Sequence, residues 1–396
     1  MNRHYDVAIV GSGIVGLGAA LAATRRGLSA IVIDRSAEIT GASVRNFGHL
    51  CFTPQSGLAR SFAAVSRELW LQLAVDAGLA VRRTGTFVVA RHADELEVLS
   101  DLANSRALSH TLSRGSEQDE VALLTAAEIE GRVPVAAGST MGGAHLGFDL
   151  QVNPREAVGQ IAAFLAGRGV EFLTRTAVTR VTSGRVETTR GTIGAGTVVV
   201  AVNADIDQLY PEVAERVGIR RCGLDMLRVD AGLPRPLEGP LLTGWSLLRY
   251  SAFTRFPAAA RIRDRLHAQH PFLASLDINQ MYTQMPDGSL LVGDTHYRGA
   301  AISPFQDERA ADAMLEITGD LFGVPRPRVL ERWQGVYASG PDEYLIERVE
   351  PGVHLAAATT GIGMTTGLGL AEHVLELAIT ESNFSSPSLL SQKEIS

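Results

Sequence analysis

Residues 7–10 are four consecutive apolar positions between Asp6 and Gly11, the pattern of a strand buried on both faces of a parallel sheet. Gly11, Gly13 and Gly16 follow, then an apolar helix over 17–26 and a second strand over 30–33 that ends at Asp34. Phe62, Val65, Leu69, Leu73 and Ala77 recur at helical spacing and predict a helix over 62–77. The pattern then gives a strand over 81–90, a helix over 93–103 and a polar loop over 105–120. Thr125, with Glu128 three residues on, predicts a capping box opening a short helix before Pro134. Asn153-Pro154 opens an amphipathic helix to Gly167. Strands over 170–173, 177–181, 185–189 and 197–202 read as a β-meander returning to the first sheet, followed by a helix over 203–209.

From 220 to 324 the pattern changes. Short strand-like runs at 222–229, 280–285 and 290–292 alternate with Pro and Gly breaks, and a helix follows over 307–322. Strands over 328–336, 344–348 and 353–357 lead to Ala358-Thr-Thr-Gly361-Ile-Gly363-Met-Thr-Thr366, a second glycine-rich turn into a helix over 367–378. The fold class is α/β, in two domains. A Rossmann-like nucleotide-binding domain takes residues 1–80, 145–219 and 325–380. A mainly antiparallel substrate domain takes 81–144 and 220–324, and 381–396 is expected to be a disordered tail.

The first turn carries recognisable chemistry. Gly11 suits a tight turn, Gly13 lets backbone approach a pyrophosphate, and Gly16 lets helix and strand pack closely. The helix N-terminus presents unpaired N–H groups and a positive dipole end to the phosphates. Asp34 stands where a carboxylate can accept bonds from an adenosine ribose. One such turn leaves FAD and NAD open. The second, at the far end of the chain, favours FAD, because an extended flavin gains from a helix N-terminus beside its ring.

At 396 residues the chain can bury a large core, and its net charge of −7 argues against nucleic-acid binding. Cys51 and Cys222 are too few for a disulfide framework or a structural zinc site. Residues 7–23 are uncharged but short and glycine-punctuated for a membrane span, and nothing at the N-terminus reads as a signal peptide. A cytoplasmic protein without a membrane or nucleic-acid partner is expected. The only lysine is Lys393, which excludes a lysine base or Schiff base from the folded body.

Asp6 to Gly16, Ile33-Asp34-Arg35, Gly41-Ala-Ser-Val-Arg-Asn-Phe-Gly48, Val152-Asn-Pro154 and Gly361-Ile-Gly363-Met364 through Glu372 resemble the D-amino-acid oxidase (glycine/sarcosine oxidase) superfamily of FAD enzymes. The resemblance runs from Tyr5 to about Leu377. It implies that Gly11, Gly13, Ile14, Val15 and Gly16 hold the pyrophosphate, and Asp34 with Arg35 the adenosine. It also implies that Ser43, Val44, Arg45, Asn46 and Phe47 run past the ribityl chain, and that Val178 meets adenine through its backbone. Ala201 and Asn203 would flank the cofactor, and Gly361, Ile362, Gly363, Met364 and Thr365 would lie against the flavin ring. Binding is expected to be non-covalent, with His49 and Cys51 as the residues able to attach the ring.

Ser43 to Gly48, Leu291-Val-Gly-Asp294-Thr-His296 and Arg332-Trp-Gln-Gly-Val-Tyr337 are similar to a narrower group associated with phosphonate catabolism. That group oxidises 2-aminoethylphosphonate or its N-methyl derivative to phosphonoacetaldehyde. At His49 and Gln334 the chain departs from the group's residues, which bears on substrate preference. The implied chemistry is hydride transfer from the carbon beside nitrogen to flavin N5, then hydrolysis of the imine. O2 or another acceptor would take the electrons.

His49 and Tyr337 are the catalytic candidates. Arg45, Tyr250, Tyr282, His296 and Arg332 are the candidates for holding a small anionic amine, since guanidinium groups bind phosphonate or carboxylate bidentately. Relatives like sarcosine oxidase use a lysine beside the flavin for oxygen, so here His49, an arginine or the substrate ammonium would have to serve. Glycine, sarcosine or D-amino-acid oxidation, an NAD(P)-dependent dehydrogenase and a flavoprotein subunit without turnover stay open as alternatives.

Overall fold

The structure, a computed structural model, describes residues 4–112 and 120–385. Its first strand, His4–Val10, lies between Gly191–Val200 and Ala30–Ile33, parallel to both. Glu171–Leu173 extends this parallel sheet on one side and Val353–Thr360 on the other. Alternate residues of the strand serve two cores, as the pleat requires: Val7 and Ile9 face one, Ala8 and Val10 the other. Helices Ile14–Arg25, Gly57–Asp76, Pro154–Gly167 and Gly363–Ser385 pack on the first face. On the other face lies the antiparallel meander Val178–Thr182, Arg185–Thr188 and Gly191–Val200.

The strand Arg328–Glu350 joins the two halves of the molecule. It pairs antiparallel with Val353–Thr360 at one end and with Arg220–Asp230 along the other. Sixteen of the described strands therefore form one sheet. Beyond Arg220–Asp230 the sheet passes through Leu290–Gly293, Met281–Gln284, Leu241–Leu242 and Thr86–Ala90 to Gly142–Leu146 and Val121–Thr125. A third core, from Phe87 and Leu99 to Phe253, Tyr282 and Phe322, sits against this half.

Several elements differ from the sequence pattern. The expected strand over 81–90 is two: Val81–Arg82 pairs with Leu150–Val152 in a small separate sheet, and Thr86–Ala90 joins the main one. Gly85, at φ +66°, makes the break. The helix expected over 93–103 runs from Ala93 to Leu112, into the stretch read as a loop. Helices Ser251–Thr254, Pro257–Gln269 and Pro271–Ser275 occupy a stretch expected to hold only strand-like runs and breaks. Pro257 and Pro271 each open a helix rather than interrupt a strand.

The runs 328–336 and 344–348 are one strand whose pairing shifts between Ser339 and Tyr344, where Pro341 is accommodated. The last helix takes in 381–385, which the sequence assigned to the tail. Residues 113–119 of the expected loop and 386–396, with Lys393, lie outside the described residues. Among the described residues no helix is long and apolar enough to cross a membrane.

Candidate active site

A cavity of about 830 Å³ runs from the carboxyl ends of the parallel strands to the antiparallel half of the sheet. At its first end Gly11 closes a turn, its N–H donating to Ile33 O at 2.8 Å with φ +103°. A Cβ on Gly16 would stand 1.9 Å from Gly11 O, so turn and helix interlock only with glycine there. Helix Ile14–Arg25 starts directly after this turn with no acidic side chain in its first turn, leaving its positive end for an anion. Ser43 Oγ accepts from Ile14 N at 2.9 Å and ties the 42–48 loop to the helix start.

Asp34 braces the turn as well as bordering the cavity. Its Oδ2 accepts from Ser12 N at 2.8 Å and Ser12 Oγ at 2.6 Å, and its Oδ1 accepts from Ser36 N at 2.8 Å. Replacing Asp34 by Ala removes three acceptor contacts and a carboxylate from the cavity's edge. The expected result is dinucleotide affinity weakened roughly tenfold to a hundredfold, read by titrating apoprotein while following flavin fluorescence. Arg35 pairs with Asp205 at 2.6 Å, and Arg221 binds the same carboxylate at 3.0 Å. Asn203, at φ +59°, accepts from Ala338 N at 2.6 Å through Oδ1 and so links this end to the strand carrying Tyr337.

At the opposite end Arg249, Tyr250, Asn279, Asp294, His296 and Tyr337 share the cavity wall. Arg249 Nη1 donates to Asp277 Oδ1 at 2.9 Å, and Arg298 binds the other oxygen of Asp277 at 2.8 Å. Two guanidinium groups thus share one carboxylate. Arg249 keeps only 16% side-chain exposure, so its charge acts through little water. His296 Nδ1 donates to Asp277 O at 3.0 Å, because a carbonyl can only accept. Burial and the nearby Arg249 hold its imidazole pKa well below the usual value, so the ring is neutral and Nε2 is bare.

Burial raises the Asp294 carboxyl to about 7, against the pull of Arg249 and Asn279. Burial likewise raises the Tyr250 and Tyr337 phenols well above their ordinary range, so both stay neutral donors. His49 Nε2 lies 2.6 Å from Thr86 Oγ1 and 3.6 Å from Asp149 Oδ2. Cys51, beside Thr365, has a thiol pushed up to about 12 by burial and is a poor nucleophile.

Of the residues expected at the site, Gly11, Gly13, Ile14, Val15, Asp34, Arg35, Ser43, Asn46, Phe47, Val178, Ala201, Asn203, Gly361, Gly363, Met364 and Thr365 line the cavity. So do His49, Tyr250, His296, Tyr337 and the exposed Arg45, whose guanidinium bonds Gln334 O at 3.1 Å. Gly16, Val44 and Ile362 lie behind the wall rather than in it.

Tyr282 and Arg332 are corrections. Met281 lines the cavity, so on an extended strand its neighbour Tyr282 points to the opposite face. There it meets Gln280, Thr318 and the edge of Phe322. Arg332 is drawn to the outer surface by an ion pair with Glu308 at the start of helix Glu308–Phe322.

Sequence reasoning missed Arg249, Asn279 and Asp294. Asp294 did carry a signal, a charge ending the buried strand Leu290–Gly293. Arg249 sits in an irregular stretch after the turn Ser246–Leu248, where no period singles it out.

The sequence profile of the DAO family, FAD dependent oxidoreductase, matches residues 6–377. The chain belongs to this family. The enzyme is an FAD-dependent oxidoreductase, and the NAD(P) alternative gives way to FAD. No curated protein matches the sequence.

Among solved structures, the enzyme is similar to glycine oxidase from Geobacillus kaustophilus (TM-score 0.74, 20% identity, covering 98% of this chain and 96% of that one). It is also similar to L-proline dehydrogenase from P. horikoshii (0.75, 18%, 96% and 94%). A third is dithionite-reduced L-α-glycerophosphate oxidase from Mycoplasma pneumoniae with FAD bound (0.70, 16%, 96% and 95%). At these identities the likeness is one of fold.

The residues present fit FAD. The Gly11–Gly16 interlock keeps side chains out of the turn that leads into helix Ile14–Arg25, whose N-terminal end borders the cavity. The helices starting at Ile14 and Gly363 both lack acids in their first turns, which suits a cofactor with a pyrophosphate at one point and a ring that becomes anionic on reduction at another.

Proposed function

We propose that this oxidoreductase acts on the C–N bond of a small amine bearing an anionic group, with 2-aminoethylphosphonate or its N-methyl derivative as substrate and phosphonoacetaldehyde as product. The observation that carries the reading is Arg249. It is a nearly buried guanidinium on the cavity wall, and Arg298 shares its partner Asp277, so that one carboxylate is divided between two guanidinium groups. Such a fork binds a tetrahedral or planar oxyanion through paired, charge-assisted hydrogen bonds. The neutral phenols of Tyr250 and Tyr337 add donors that keep their protons. FAD, non-covalently bound, supplies the acceptor for the hydride leaving the carbon beside nitrogen. The protein's part is to hold that carbon in place by its anionic end and to exclude water.

Oxygen is the proposed terminal acceptor. No lysine stands among the described residues, so Arg249 and the His49 imidazole are the cavity groups able to serve it. A second reading, glycine, sarcosine or a D-amino acid, is favoured by the same guanidinium, because a carboxylate fits its fork equally well.

An anaerobic screen of flavin bleaching separates the two. 2-Aminoethylphosphonate and its N-methyl derivative are expected to bleach the bound flavin faster than glycine, sarcosine or D-amino acids. Bleaching by carboxylates alone would make the phosphonate reading wrong and leave the amino-acid reading in its place.

A further inference from the structure

We propose that Asp294, with Asn279 beside it, forms the amine subsite and accepts the proton of the substrate ammonium, while Arg249 holds the anion. The inference rests on the reading of the substrate as an anionic amine.

Asp294 and Asn279 are locked together by two backbone hydrogen bonds, Asn279 N to Asp294 O at 2.8 Å and Asp294 N to Asn279 O at 2.6 Å. Both side chains are more than nine-tenths buried and both border the cavity. Each has an Oδ1 with no hydrogen-bond partner. Two unsatisfied acceptors side by side cost free energy unless a ligand brings donors. The neutral His296, two residues beyond Asp294, offers the bare lone pair of Nε2, 3.7 Å from Asp294 Oδ2. Acceptors collected beside a guanidinium describe a ligand with N–H donors at one end and an oxyanion at the other.

The step balances within the site. The ammonium N–H bond breaks, its proton forms an O–H bond on the Asp294 carboxylate, and the electron pair stays on nitrogen as a lone pair. The neutral amine so produced is the form from which hydride can leave the adjacent carbon. Arg249, Tyr250, Asp277, Cys222, His296 and Tyr337 are the titratable groups facing Asp294. Of these, Arg249 lowers and Asp277 raises the Asp294 pKa, so the two oppose each other there. With the Asp294 carboxyl raised to about 7 by burial, the carboxylate needed to hold an ammonium is present above that pH and lost below it.

The test compares 2-aminoethylphosphonate with ethylphosphonate, and glycine with acetate. Their dissociation constants are read from perturbation of the flavin absorbance of the holoenzyme under anaerobic conditions before reduction. In the wild type the amine is expected to bind roughly tenfold to a hundredfold tighter than its deamino partner at pH 8. That ratio should shrink towards pH 5.5 once each dissociation constant is corrected for the measured ionisation of its own anion, which the ammonium shifts within the phosphonate pair. Asp294→Asn should abolish both the ratio and its pH dependence while leaving ethylphosphonate or acetate binding within about threefold.

A ratio retained in Asp294→Asn overturns the proposal and leaves the substrate reading standing. A wild-type ratio flat between pH 5.5 and 8 overturns it without any variant, which covers the case of a variant that fails to fold. If only the glycine pair binds, the phosphonate reading fails while the role of Asp294 is tested on that pair. If none of the four probes binds, both fail.

Discussion

Replacing Arg249 by Met is expected to raise KM for the anionic amine by roughly thirtyfold to a thousandfold, the usual consequence of truncating a desolvated charged partner by about 2–4 kcal/mol. The change should fall on KM far more than on kcat at saturation, because the proposed partner of Arg249 is the anionic end and not the reacting carbon. The fold should tolerate it: Asp277 keeps Arg298 at 2.8 Å and is itself well exposed, and the buried Asp294, which loses the pull of Arg249, can take up a proton and stay neutral. Arg249→Lys keeps the charge but not the planar fork, and should recover only part of the loss. A neutral alkylamine gives the control, since its KM should hardly move. Equal losses for the anionic and neutral amines would show that Arg249 supports the cavity wall rather than the anion.

How much of this was legible in the sequence depends on whether a residue's role is local. The nucleotide end is local: glycine spacing, a buried strand and a terminal acid lie within one βαβ unit, and its Gly11 and Asp34 border the cavity. The capping box at Thr125 and the asparagine cap at Asn153 are local too, and both form.

The substrate end is assembled from separate segments. Arg249 comes from an irregular turn, Asn279 and Asp294 from the flanks of two strands, and Tyr337 from the middle of a strand. No window of the sequence contains the relation between them. Tyr282 shows the limit most sharply: its composition and position suited a ligand contact, but a shift of one residue on a strand reverses the face. Arg332 fails for another reason. A surface carboxylate, Glu308, captures its guanidinium, and only tertiary contact reveals that pair.

Gly16→Ala is expected to give protein that no longer retains flavin. The added Cβ would sit 1.9 Å from Gly11 O, 3.0 Å from Gly11 C and 3.2 Å from Ile9 Cγ2, the first two being backbone atoms that no rotamer change can move. Relief requires the helix Ile14–Arg25 to lift off the strand His4–Val10, and that lift would carry the helix's positive end away from the proposed place of the pyrophosphate. Affinity for FAD should fall at least about a hundredfold, from the misplacement of several charge-assisted bonds at once. The purified variant should be colourless, with the loss of bound FAD lowering Tm further through linkage.

Gly159→Ala supplies the comparison. Gly159 lies on the exposed side of helix Pro154–Gly167 with nothing within 4 Å of the new methyl, so the change should stabilise by about 0.5–1 kcal/mol and leave the flavin in place. A yellow Gly16→Ala protein with wild-type FAD affinity would show that the turn tolerates a side chain. The phosphates would then be held by something other than the backbone between Gly11 and Gly16.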